Sequence, residues 1–245
     1  MDNKIIGVVA PARSGKTQRV AEFVRVTPRV AIYDPQALTD VQYRNIATKI
    51  VKQDLRELHF ALAEDDFKIL YEPQEPTFDG RTWEFPDFPK FLAKCLRRAE
   101  LIGEMTVVVD EAHFTMSQRS MPIELWRVIT VGGHYGLNLV WVTQRFSGVN
   151  PWARSNAREY WFFRTHHPAE IVLISDICGE EVAAQVQQLR RLDQNTVPVT
   201  PGQMLRWSSY DGTVVIEDTI KKGTKVPLVT NQPPTENEGG QDGNR

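Results

Sequence analysis

The sequence predicts an α/β domain with a mainly parallel sheet and helices on both faces, on three observations. Short apolar runs such as IIGVV and MTVVV alternate with stretches of helical periodicity, the pattern of strands covered on both sides. One such run leads directly into a Gly/Ser turn and a helix. Another ends in two carboxylates, Asp110 and Glu111, and ligands in open α/β sheets gather at such strand ends.

Taken in order, residues 4–9 read as a buried strand, and a helical pattern runs over 16–26. Residues 29–33 form a second strand ending in Asp34 and Pro35. Helical periodicity returns over 54–63, and 67–71 is strand-like. Residues 72–87, rich in Pro, Gly and aromatic side chains, read as a loop. A helix over 89–102 precedes the strand 105–109. Another, over 122–131, carries Pro122 near its first turn and stops at Gly132 and Gly133. Strands follow at 137–143 and 160–164. One or two helices fill the stretch from Pro168 to about Leu192, and a hairpin of 202–209 and 213–218 turns around Asp211 and Gly212. Residues 231–245 hold no apolar side chain beyond two prolines, too little to order a segment. The expected organisation is one domain over 1–230 and a disordered tail over 231–245.

Composition sets limits. With 41% apolar residues the chain can bury a core, and its formal charge of −2 supplies no global positive field toward nucleic acid. Any DNA contact must come from local basic loops or from several subunits around one strand. Two distant cysteines, Cys95 and Cys178, argue against a disulfide scaffold or zinc site and fit a reducing compartment. The N-terminal apolar run is too short for a signal peptide, and no stretch approaches the ~18–20 apolar residues of a membrane span. A soluble, cytosolic protein is expected.

Ala10, Pro11, Ala12, Arg13, Ser14, Gly15, Lys16 and Thr17 match the phosphate-binding loop G-x-x-x-x-G-K-[ST], with Ala in the first Gly position. Chemistry requires this spacing. Backbone N–H groups of residues 13–16 can curl into an anion nest at a helix N-terminus. Lys16 then reaches the β- and γ-phosphates, and the Thr17 hydroxyl ligates Mg²⁺. An apolar strand before and a helix after distinguish the match from a chance Gly-Lys-Thr turn. The strand ending at Asp110 and Glu111 supplies the other half: Asp110 to hold Mg²⁺ through its water shell, Glu111 to act as general base on the attacking water. Mg²⁺ and ATP are the ligands these residues suit.

Asp110, Glu111, Ala112 and His113 also spell the signature of DEAH-box helicases, but those need a second RecA-like domain that this chain does not offer. His113 then reads as a loop residue beside the γ-phosphate, or a packed one. A different resemblance covers most of residues 4–205. The run from Gly133 through Thr143, Gln144 and Arg145 resembles the FtsK–HerA ATPase segment in which an apolar strand ends in T-Q-R. Residues 29–35, ending in Asp34 and Pro35, are similar to that family's second strand. Gly202, Gln203, Met204 and Leu205 are similar to its closing turn. Gln36 stands where the family usually has Lys, so no role is carried onto it.

The resemblance implies a RecA-like (ASCE) P-loop NTPase in which the Gln144 strand lies beside the Asp110 strand and the Gln144 amide senses the γ-phosphate. It implies a homo-oligomeric ring, hexameric by analogy, whose neighbouring subunits complete each site with an arginine. Arg154 is the first choice for that arginine, with Arg145 and Arg158 as alternatives. The cluster Lys94, Arg97, Arg98 reads as a solvated face, and Arg190 and Arg191 stay ambiguous. Among the family, a compact chain without anchors looks most like viral and phage genome-packaging ATPases, with some similarity to zonula-occludens-toxin-like phage proteins around His134 and Gly136. The expected function is ATP-driven translocation of double-stranded DNA into a capsid, in the host cytoplasm or in association with the virion, with capsid or portal proteins as partners. The alternatives are a cellular HerA-like or conjugation-type motor and, from another class, a nucleotide switch or a small-molecule kinase. Glu111 argues against the switch, and the absence of an Arg-rich lid argues against the kinase.

Overall fold

The computed structural model describes residues 4–36, 41–78, 83–117, 121–193 and 202–219. In chain order the elements are β1 (Ile5–Val9), α1 (Lys16–Arg25), β2 (Arg29–Tyr33), α2 (Val41–Arg44), β3 (Lys49–Lys52), α3 (Leu55–Ala61), β4 (Phe67–Glu72), β5 (Thr77–Phe78), β6 (Trp83–Glu84), α4 (Phe88–Ile102), β7 (Met105–Val109), α5 (Ala112–Thr115), α6 (Ile123–Thr130), β8 (Leu137–Thr143), α7 (Pro151–Ser155), β9 (Glu159–Phe163), α8 (Pro168–Cys178), α9 (Glu180–Gln188), β10 (Gln203–Ser208) and β11 (Val214–Asp218).

Nine strands form one sheet in the order β11-β10-β9-β1-β8-β7-β2-β4-β3. The seven from β9 to β3 run parallel, and β10 and β11 close one edge antiparallel. Every residue of β1 and β7 is buried, as continuous apolar strands demand when both faces are covered. Alternate residues feed two cores. Ile6, Val8, Ile32 and Val140 pack with Val20 and Val24 of α1 and with Tyr43 of α2. Val9, Tyr33, Val107 and Leu139 face Leu58 of α3, Phe91 of α4, Leu125 of α6 and Ile174 of α8.

Gly7 lets the centre of the sheet close. It pairs with Trp141 on β8 and with Tyr160 on β9, whose rings meet edge to face at 5.9 Å. A Cβ on Gly7 would lie 2.4 Å from Trp141 Cζ2 and 2.9 Å from Tyr160 Cδ1. Only hydrogen fits.

Most of the expected elements are present. The hairpin turns at Asp211 and Gly212, where Asp211 Oδ1 accepts the Thr213 N–H at 3.0 Å and Gly212 adopts φ +68°. The differences are local. Elements α2 and β3 fall in a stretch with no sequence assignment. Within the expected loop, Thr77–Phe78 pairs with Trp83–Glu84 as a small hairpin. Asp87, at the end of that loop, is buried and accepts from Tyr33 Oη at 2.7 Å, Tyr71 Oη at 3.0 Å and the Gln74 N–H at 3.0 Å. Arg98, expected on a solvated face, donates to the carbonyls of Ala63 and Glu64 and straps α4 to the end of α3. The expected tail, residues 231–245, lies outside the described residues.

Candidate active site

The sheet order builds the site. β8 lies between β1 and β7, so the loop after β1, the Thr143–Gln144 end of β8 and the Asp110–Glu111 end of β7 stand side by side on one edge. Neighbouring strands are about 4.8 Å apart. A lysine leaving the β1 loop can therefore span the width of β8 to the carboxylates beyond it. The Ala10 N–H donates to the Thr143 carbonyl at 3.0 Å, carrying the β1–β8 pairing one residue into the loop.

The loop itself is bent by two positive backbone angles, Arg13 at φ +60° and Gly15 at φ +87°. Gly15 caps α1, and neither a capping side chain nor an acidic residue occupies the first turn. Such a turn leaves backbone N–H groups pointing outward at the positive end of the helix. The Ser14 hydroxyl, buried beside them, has no hydrogen-bond partner among the described residues. An unpartnered hydroxyl beside the N-terminus of a helix fits a bound phosphate.

On the other side, the Asp110 N–H donates to the Tyr33 carbonyl at 2.9 Å, and Asp110 Oδ1 accepts the Glu111 N–H at 2.7 Å. Glu111 adopts φ 46°, ψ 46°, a left-handed conformation that costs a non-glycine residue about 1–3 kcal/mol. The turn aims the Glu111 carboxylate back along the strand ends. Lys16 Nζ sits 3.1 Å from Glu111 Oε1 and 3.6 Å from Asp110 Oδ1. Gln144 Nε2 donates to the same Glu111 oxygen. All three charged groups are at least 90% buried. Thr17, next to Lys16 in the first turn of α1, is half-buried.

The expected residues thus divide into two groups. Ala10, Pro11, Ala12, Arg13, Ser14, Gly15, Lys16 and Thr17 converge with Asp110, Glu111 and Gln144 on one edge. The three arginines do not move as a set. Arg145 is exposed, directly after Gln144 on that same edge. The Arg158 N–H donates to the carbonyl of Ile5, at the opposite end of the sheet. Arg154 is not brought to the site: it is 9% exposed, its guanidinium lies over the Phe146 ring at 5.5 Å, and its carbonyl accepts from Tyr160 Oη. Burial lowers its pKa, opposed by the nearby Tyr160 and Glu170.

Two placements add to the sequence reading, which left Arg190 and Arg191 ambiguous and read His113 as a loop residue beside the γ-phosphate or a packed one. A cleft of about 290 Å³ borders residues 11–14 on the side away from Glu111, with Arg164, Arg190, Arg191 and Leu192 opposite the loop. Arg190 and Arg191, both exposed, line that cleft, and Arg190 also pairs with Asp218 at 2.6 Å. His113 is the other: its Nδ1 lies 3.2 Å from Thr143 Oγ1 and 3.5 Å from Glu111 Oε2. A single sequence gives no sign that residues 13 and 190 share a cleft, since that depends on where β10 joins the sheet.

No family model matches the chain, and no curated protein does. Solved structures do match. The genome packaging NTPase B204 from Sulfolobus turreted icosahedral virus 2, in complex with sulfate, superposes with a TM-score of 0.71 at 16% identity, covering 91% of this chain and 100% of that one. The same NTPase in complex with AMP gives a TM-score of 0.67 at 18% identity, with 87% and 96% covered. The DNA-packaging ATPase B204 from Sulfolobus turreted icosahedral virus gives 0.66 at 17% identity, with 88% and 98% covered. At these identities the likeness concerns the fold, and it runs the length of both chains. The strand order and the superpositions agree that this chain has the RecA-like P-loop fold found in viral packaging NTPases.

Proposed function

We propose that the chain is a Mg²⁺-dependent ATPase and the motor of a viral or phage genome-packaging machine, moving double-stranded DNA. The observation that carries the ATPase reading is the convergence of Lys16, Asp110, Glu111 and Gln144 beside a preformed anion cradle. Lys16 and the N–H groups of residues 13–16 hold the β- and γ-phosphates, and the arginine-rimmed cleft beside residues 11–14 takes the rest of the nucleotide. Thr17 and Asp110 would hold Mg²⁺, which when bound neutralises phosphate charge.

Lys16 Nζ donates to Glu111 Oε1. Phosphate entering the cradle competes for that ammonium and leaves the carboxylate to a water. Glu111 takes a proton as the water oxygen attacks the γ-phosphorus, and the bond to the β-phosphate oxygen breaks to leave ADP and phosphate. Gln144, on the strand between base and loop, orients the reacting groups.

The motor reading is supported by the likeness in fold to proteins described as packaging NTPases, by a match that spans nearly the whole of each chain, and by the hydrolytic base. A formal charge of −2 places DNA contact on local surfaces of a ring rather than on one subunit's field. The test is ATP turnover with and without double-stranded DNA, alongside mass measurement with ATP present. Stimulation by DNA and an ATP-dependent oligomer are expected. Turnover indifferent to DNA over a range of protein concentrations would remove the motor reading and leave the ATPase.

A further inference from the structure

The Glu111 carboxylate is gripped on one oxygen. Oε1 takes Lys16 Nζ at 3.1 Å and Gln144 Nε2, whereas Oε2 is buried with no hydrogen-bond partner among the described residues. The group facing Oε2 is the His113 imidazole, with Nδ1 at 3.5 Å. The same Nδ1 lies 3.2 Å from Thr143 Oγ1.

Thr143 identifies the tautomer. Its hydroxyl has one proton, which points to the Arg145 carbonyl at 3.1 Å, and its lone pairs accept the Arg145 N–H at 3.0 Å. With that proton on the Arg145 carbonyl, the tautomer that satisfies both groups carries the imidazole proton on Nδ1 of His113. Burial holds the imidazole below its usual pKa, and Arg145 and Lys16 act in the same sense against Glu111. The side chain is closely packed: the Phe114 ring lies 4.2 Å from the imidazole, and a Cβ added at Gly148 would stand 3.0 Å from His113 Cβ.

We infer that His113 is the positioning residue for Glu111: its Nδ1–H, bonded to Thr143 Oγ1 at the end of β8 and 3.5 Å from the unpartnered Glu111 Oε2, closes on that oxygen once phosphate takes Lys16. The need arises on nucleotide binding. Phosphate draws Lys16 away from Oε1, and a carboxylate left with Gln144 alone could rotate off the water. A donor at Oε2 keeps it aimed. The inference rests on the reading of Glu111 as the base.

The test uses the full chain with saturating Mg-ATP, following kcat, binding of a fluorescent ATP analogue, and Tm. His113→Ala should lower kcat roughly ten- to a hundredfold, the scale of a misaimed catalytic group, with analogue affinity within about twofold of wild type. His113→Asn, whose amide nitrogen falls near the Nδ1 position, should recover most of that loss. His113→Gln, which reaches toward Nε2 instead, should not. In a Glu111→Gln background, His113→Ala should cost nothing further, because the two act through one group. Wild-type kcat in His113→Ala, or an equal loss in both backgrounds, would overturn the inference while leaving Glu111 as the base. Equal losses in Ala and Asn with matching falls in Tm would reduce His113 to a packing residue. Normal turnover in Glu111→Gln alone would remove the base itself, a separate result from any of these.

Discussion

Lys16 pairs with two buried carboxylates and, in the proposed function, holds two phosphates as well. Its removal should therefore be felt twice. Lys16→Ala should abolish hydrolysis and greatly weaken ATP binding, and should also lower the stability of the nucleotide-free protein. Breaking a buried pair from one side costs about 3 kcal/mol or more, roughly 6–12 °C in Tm at this chain length. Unchanged Tm would mean that Asp110 and Glu111 find other partners; unchanged turnover would remove the phosphate site. Glu111→Gln separates binding from chemistry. It should keep ATP affinity and lower kcat about 10²-fold or more, as loss of a general base does, trapping an ATP-bound state detectable by nucleotide retention after gel filtration. The thiols make a third test. Cys95 is fully buried in α4, and burial pushes Cys178 up to about 12 and Cys95 further, so both are protonated at pH 8. Ellman's reagent should leave both unmodified in the native chain and titrate both in guanidinium chloride. Among these residues, the ones legible in the sequence were those whose chemistry needs neighbours in the chain: Gly15, Lys16 and Thr17, or Asp110 and Glu111. The left-handed turn at Glu111 and the contact of His113 with Thr143 depend on a strand thirty residues away, and a sequence without partners does not display them.

At the scale of elements, what the sequence displays is set by length and burial. β1, β7 and β8 are long apolar runs, and each was legible as a strand. β3 is four residues with Lys49 and Lys52 at its ends, an edge strand whose half-exposed face breaks the pattern. α2 is a single turn, too short to show a period. The hairpin of β5 and β6 has exposed residues on both strands, so no alternation marks it. Gly7 is the opposite case, a residue that looks like a weak point inside a strand and is a packing requirement. Gly7→Ala forces a methyl group into the Trp141 and Tyr160 rings, neither of which has a free side to retreat to. Overpacking of this kind costs about 1–3 kcal/mol, and more where the neighbours are large and fixed. The expected result is a fall in urea midpoint with the m-value unchanged, together with a change in the near-ultraviolet dichroism of Trp141. A neutral outcome would show that β1 and β8 separate more easily than their pairing suggests. Because β1 carries the phosphate loop and β8 carries Gln144, the same substitution should lower ATPase activity through geometry alone.

The whole molecule presents one edge on which chemistry converges, and that edge lies open. In the proposed mechanism Lys16, Asp110, Glu111 and Gln144 supply a cation, a metal ligand, a base and an orienting amide, and the γ-phosphate still calls for an arginine. Stabilising charge on a transferring phosphoryl group is where such enzymes gain most, and an arginine from outside supplies it. Of the three arginines that the sequence singled out, Arg145 alone is both exposed and on this edge, while Arg154 is enclosed over Phe146. The two should therefore fail differently. Arg154→Ala should lower Tm through lost packing and reduce activity only in proportion to folded protein. Arg145→Ala should leave Tm and ATP affinity unchanged and lower kcat strongly, because the lost interaction belongs to the transition state. If Arg145 acts on a neighbour, specific activity should rise with protein concentration. Mixing Arg145→Ala with Glu111→Gln subunits should then restore activity, since some interfaces pair an intact Glu111 with an intact Arg145. An arginine acting within its own subunit, through its neighbours Gln144 and His113, gives the same kcat loss but no rescue on mixing. Strong loss in Arg154→Ala at unchanged Tm, with rescue on mixing, would instead restore Arg154 to that role and require α7 to open in the ring. Activity independent of concentration, with no rescue in either pair, would mean that each chain works alone, and a ring-shaped DNA motor would no longer be tenable.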